Sequence, residues 1–210
     1  MATIDDAATQ AMQSRPNICI SSNAGYPEAF VDEFIEALEA TGLPVARRSH
    51  GNLFAGVEWL MPTAVVVFIA DKLFGTIISE ATKDLYNRLK GATAKVAQNA
   101  STLSISRVST SGKLDAAQTY SPGFSVVVST GDDLVFKLLV QPGLSSAQTD
   151  EALGAFFDLM FAFFSGTVEP DVLSRLEQTC VMGHTLLVAY DFGARAIFGV
   201  DPLPDQRDGR

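Results

Sequence analysis

The sequence predicts an α/β fold with α+β character in its second half, on three observations. A short apolar strand, an amphipathic helix and a second strand follow one another within residues 17–48, the order of a parallel βαβ unit. Residues 64–69 (AVVVFI) are apolar on both faces and mostly β-branched, as a central strand requires. Residues 124–128 and 134–140 flank Thr130-Gly131-Asp132-Asp133, which reads as an antiparallel hairpin. The expected architecture is one mixed sheet with an N-terminal parallel βαβ unit, a C-terminal antiparallel hairpin and packed helices.

Composition supports a packed domain and narrows the function classes. Of 210 residues, 47% are hydrophobic and 19% charged, with a formal net charge of −9. Such a chain folds rather than staying disordered, and its acidity argues against a grip on nucleic acid. Residues 1–16 are polar and aperiodic and are expected to form a flexible arm; residues 17–200 read as a single α/β domain and 201–210 as a loose tail. The first residues lack a basic segment followed by an apolar one, so a cytoplasmic location is expected. Cys19 and Cys180 are then expected to be free thiols. The apolar runs 59–70 and 152–167 stop short of the roughly 20 residues of a spanning helix, so a membrane partner is not favoured.

Each element has a local reason. Residues 17–21 (NICIS) form the first strand, Ser22-Asn23-Ala24-Gly25 a turn, and Pro27 suits the start of a helix. Phe30, Phe34, Ile35 and Leu38 recur at helical spacing, and Gly42 supplies the stop. The opposite face carries Glu28, Asp32, Glu33, Glu36 and Glu39. Residues 43–48 follow as a strand, and 49–58 as a loop or short helix. A long helix is expected from Lys72, with Phe74, Ile77, Ala81, Leu85 and Leu89 as its stripe and Lys83, Arg88, Lys90 and Lys95 on a mildly basic face. Residues 103–108 alternate like a strand. Ser145 and Gln148 fit a capping box opening a helix that runs to Gly166. A short helix at 171–178 and two strands, 186–190 and 196–200, complete the domain.

Motifs with chemical content are few. Cys180 and His184 stand four apart, but no second pair completes a tetrahedral site, so no metal is expected. Asp191-Phe192-Gly193 spells the kinase magnesium motif without the loops that accompany it. No P-loop, dinucleotide fingerprint or serine elbow occurs, and no cofactor is expected.

Residues 18–90 resemble the first half of a TIR domain. Ile20-Ser21 matches the end of that family's first strand, Gly42-Leu43-Pro44-Val45 its "G-x-x-V" strand, and residues 65–69 the hydrophobic strand before a glutamate-bearing helix. Ile77-Ile78-Ser79 stand where the family carries a Trp-Cys pair. The resemblance implies a nucleotide-binding or NAD-cleaving activity of bacterial defence type. NAD would be the bound nucleotide, Glu80 the catalytic acid, and Ser21, Ser22, Asn23 and Gly25 would lie near the ligand.

The residues themselves favour a non-catalytic interaction protein that binds itself or a protein partner. Two surfaces are candidates. One is the apolar helix with Phe156, Phe157, Phe163 and Phe164, which is either central in the fold or packed on a second chain. The other is the acidic helix face with Glu28 and Glu36, which either meets a basic partner or is simply solvated. A membrane-disturbing effector is the third reading, since clustered phenylalanines also suit an insertable surface.

Overall fold

A computed structural model of the chain describes residues 17–23, 26–40, 42–50, 64–80, 83–101, 119–131, 134–179, 181 and 184–201. The arm at 1–16, residues 51–58 of the loop or short helix expected at 49–58, the strand expected at 103–108, Gly25, Cys180 and nearly all of the tail lie outside these residues, while Ser49 and His50 of that expected loop belong to a strand. Seven strands form one mixed sheet: β1 (Ile18–Asn23), β2 (Val45–His50), β3 (Val65–Ile69), β4 (Phe124–Ser129), β5 (Val135–Leu139), β6 (Thr185–Asp191) and β7 (Ala196–Gly199). Their spatial order is β2-β1-β3-β4-β5-β6-β7. The expected units are present: β1 and β2 are parallel, β4 and β5 form an antiparallel hairpin, and β6 and β7 pair antiparallel. Beyond these, β3 runs antiparallel to β1, β3 is parallel to β4, and β5 is parallel to β6.

The described helices are α1 (Glu28–Glu39), α2 (Asp71–Glu80), α3 (Lys83–Ser101), α4 (Ser146–Ser165) and α5 (Pro170–Glu177). All five pack on the sheet face that carries Ile20, Val67, Val126, Leu138 and Val188, which register across five adjacent strands and are all fully buried. Strand order then fixes a geometric consequence. Relative to strand direction, the β1–β2 and β3–β4 steps go one way across the sheet, and the β5–β6 step goes the other. With the helices on one face, the third crossover has the opposite hand to the first two, against the usual uniform handedness of such units.

Over the span of the long helix expected from Lys72, two helical segments are described, Asp71–Glu80 and Lys83–Ser101; Ala81 of the expected stripe lies outside the described residues. Leu73 and Phe74 are buried on α2, whereas α3 buries Leu89, Ala92, Thr93, Ala94, Val96, Ala97 and Ala100. Asp84 in the first turn of α3 is favourable at a helix start. The small residues of α3 let α1 pack on one side of it and α4 on the other.

Helix ends follow sequence signals. Ser145 caps α4, with Gln148 N–H donating to Ser145 Oγ at 3.3 Å and Ser145 N–H donating to Gln148 Oε1 at 3.0 Å. Gly166, at φ 70°, ends the helix in the left-handed conformation that glycine adopts without strain. Asp191-Phe192-Gly193 proves to be the turn joining β6 to β7: Gly193 and Ala194 N–H donate to Asp191 Oδ1 at 2.7 and 3.1 Å.

Two glycines mark close approaches of different character. A Cβ on Gly199 would collide with the branched Thr179 side chain, 2.6 Å from its Cβ and 2.7 Å from Cγ2. A Cβ on Gly154 would meet only the flexible end of Lys90, 2.5 Å from Nζ. Gly199→Ala is expected to destabilise by about 1–3 kcal/mol, as overpacking does. Gly154→Ala is expected to be neutral or to stabilise by up to about 1 kcal/mol, because alanine favours the helix and Lys90 moves aside. Urea unfolding of the two variants checks the contrast.

Candidate functional site

At the carboxyl end of β1 the chain turns into α1. Ser21 and Ser22 are both buried there, 7% and 6% exposed. Register places Ser22 opposite Val65 and Ser49, on the helix-covered face, and Ser21 opposite Val66 and Arg48, on the other. Asn23 pairs with His50 in the strand ladder. Tyr26 is 8% exposed, its ring edge-to-face with Phe30 at 6.1 Å. Among the described residues, Tyr26 Oη is the one buried side-chain polar atom without a hydrogen-bond partner. Burial pushes its phenol up to about 12. Pro27 occupies the N-cap of α1 and no side chain caps the helix.

Glu80 closes α2 at the other end of the molecule. The Ala100 carbonyl lies 3.1 Å from where a Gly123 Cβ would stand, and Gly123 O accepts from Val65 N–H. The last turn of α3 is therefore at the sheet end where Ser22 lies. With 19 residues, α3 is about 28 Å long, so its start, and Glu80 just before it, sit at the opposite end. The sequence-predicted Glu80 and Ser21–Asn23 are not brought together.

The phenylalanine-rich helix divides along its length. Phe156 and Phe157 are fully buried, and Phe157 contacts Phe74 and Tyr86. Phe163 and Phe164 are half-buried: Phe163 meets Phe136 at 5.4 Å, and Phe164 stacks on Phe74 at 4.9 Å. Phe161 remains 38% exposed, with Tyr86 against its edge at 6.1 Å. Tyr86 Oη donates to Asp158, and burial with this carboxylate pushes the phenol far above its ordinary value. Phe161 is not among the residues that the sequence singles out on this helix.

The acidic face of α1 is partly neutralised. Arg47 on the edge strand β2 contacts Glu28 at 3.3 Å and Asp32 at 2.9 Å, while Glu33, Glu36 and Glu39 are exposed. These surface pairs contribute little stability but reduce the charge offered to a partner.

The sheet face opposite the helices holds a group that sequence reasoning missed. Lys137, in the middle of β5, is 7% exposed between Val127 and Leu187 of the neighbouring strands. A lone charge inside an apolar strand (VFKLL) was the available signal. Ser125 on the same face is fully buried. Burial pushes the lysine down to about 8.

Among the described residues, no group of three or more His, Cys, Asp or Glu could hold a metal ion. No single helix among them is long and apolar enough to cross a membrane. Comparison with protein-family models, with curated proteins and with solved structures finds no match for this chain.

The Lys137 shift carries a pH dependence. Above about pH 8 the folded chain has released this proton while the unfolded chain keeps it up to the ordinary lysine range, so stability rises with pH across that window. Between about pH 8 and pH 9.5 the gain expected from this group is about 2 kcal/mol. Urea midpoints measured across the window should climb in the wild type and stay flat in Lys137→Met.

Proposed function

We propose that the protein is a non-catalytic interaction protein that binds a second copy of itself across the outer face of α3 and α4. The observation that carries this reading is the exposure of Phe161 on the helix that buries Leu153, Phe156, Phe157 and Met160. Aromatic residues of this kind anchor interfaces. The charges around it are arranged to suit a two-fold axis. Asp150 and Asp158 are exposed on α4, and Lys95 and Arg88 are exposed on α3.

Two hydrogen bonds fix their levels along the helix pair. Gln98 donates to Asp150 at 3.2 Å, and Tyr86 donates to Asp158. Lys95 therefore lies near the level of Asp150, and Arg88 near that of Asp158. Neither base has an ion pair among the described residues. A two-fold axis parallel to the helices, between α3 and α4, sets α3 of one copy against α4 of the other. Lys95 then faces the partner's Asp150 and Arg88 the partner's Asp158, while Phe161 is covered. The contact is isologous, so every pair occurs twice.

Light scattering on the purified chain is expected to give twice the 22.4 kDa chain mass. Phe161→Glu should keep the wild-type circular dichroism and run as a monomer. Lys95→Asp and Asp150→Lys should each weaken the dimer at least tenfold, because each sets like charges face to face. Mixed together, the two variants should form a heterodimer, since their charges are again opposite. A wild type that is monomeric at every concentration, or a mixture that stays monomeric, overturns the proposal.

A further inference from the structure

We propose that the sheet face opposite the helices, on its β2–β4 side around Phe68, is a docking surface for an acidic amphipathic helix of another protein. Phe68 lies within β3 and is 41% exposed. Its cross-strand neighbours are Cys19 on β1 and Val127 on β4, both half-buried, as is Val66 on the same face. Toward β6 this face is closed, with Leu139, Leu187 and Ala189 buried. An aromatic ring exposed among half-buried apolar side chains is the pattern of an interface anchor.

Charge says what kind of partner fits. Among the described residues, every Asp and Glu except Asp191 and Asp201 stands on a helix or at a helix N-cap, and the helices lie on the other face. Across β1–β5, register puts no carboxylate on the open face and puts Arg48 and Lys137 there. Arg48 is exposed and has no ion pair among the described residues. Arg47, one residue earlier, belongs to the helix-covered face and is held by Glu28 and Asp32. In a chain of formal net charge −9, an apolar face with cations and no acid favours an acidic apolar partner. Two copies of this face would set cation against cation, and the net charge opposes an anionic membrane.

The spacing suits a helix, which is how an open sheet face is ordinarily covered. Phe68 pairs with Cys19, Cys19 pairs with Ala46, and Arg48 stands two residues beyond Ala46. Two strand spacings and two residues along a strand set Phe68 and Arg48 about 12 Å apart. On a helix that separates residues about seven or eight positions apart on one face, so a leucine on Phe68 leaves a glutamate two turns away to meet Arg48. This face is across the sheet from α3 and α4, so it stands or falls independently of self-association.

Fluorescence anisotropy of the full chain with a labelled synthetic helix tests it. The probe is about 18 residues of Ala, Leu and Glu, about 27 Å long, with Leu along one stripe and Glu at its borders. The wild type should bind it saturably below about 100 μM, and more weakly as sodium chloride is added. The same peptide with Gln for Glu should bind about tenfold more weakly, or worse. Phe68→Ser and Arg48→Glu should each lose about tenfold or more with the wild-type circular dichroism intact, and either decides the matter should the other not fold. Phe161→Glu, at the self-association face, should bind as the wild type does. No saturable binding overturns the surface, as does equal affinity for the Gln peptide or full affinity in Phe68→Ser or Arg48→Glu. Flotation of the wild type with phosphatidylserine vesicles, lost in Phe68→Ser, overturns the choice of a protein partner.

Discussion

The close packing of α3 is the contact on which the rest of the molecule depends. Thr93 is fully buried, and Ala92, Ala94, Ala97 and Ala100 are nearly so; the Thr93 hydroxyl donates to the Leu89 carbonyl at 2.7 Å and brings no unpaired polar atom with it. Small side chains permit short distances between helix axes, so α1 and α4 flank α3 in one layer over a single sheet face. A bulkier stripe would spread that layer and expose the isoleucines and valines of β1, β3 and β4 beneath it. The one-sided arrangement also accounts for the opposed crossover. A uniform hand would put α4 and α5 on the far face, away from Phe74 and Phe136, with which Phe164 and Phe163 now pack.

Local signals in the sequence carried much of this. The spacing of Phe34 and Leu38, the stop at Gly42, the box at Ser145 and Gln148, and the two apolar runs flanking Thr130–Asp133 each specify an element within a few residues of where it stands. Non-local choices were not legible. The antiparallel pairing of β3 with β1 depends on where the chain goes between residues 50 and 64, not on the composition of either strand. Phe157 and Phe161 are one helical turn apart and share Tyr86 as a neighbour. One is core and the other exposed, since only Phe157 also meets Phe74 and Phe156.

The candidate sites divide in the same way. Ser21 was legible as the end of the first strand and Ser22 as the start of a turn; the structure carries the strand through Asn23 and buries both serines. Tyr26 was not recognisable, because an orphaned hydroxyl is a property of surroundings and not of spacing. Lys137 was visible as a charge in an apolar run, although nothing in the sequence said how deeply it would be buried. The TIR resemblance set Glu80 beside the Ser21–Gly25 turn; the length and direction of α3 hold the two ends of that pairing apart.

In the proposed dimer this helix layer turns one face, around Phe161, toward a second copy of the chain. Hydroxyl-radical footprinting over a concentration series reads that face directly, because Phe161, Phe68 and Phe198 are similarly exposed in the single chain, at 38%, 41% and 40%. Oxidation of Phe161 is predicted to fall as concentration rises, while Phe68 and Phe198 keep constant rates. Equal reactivity of Phe161 at all concentrations, or protection that appears at Phe198 instead, would contradict the account.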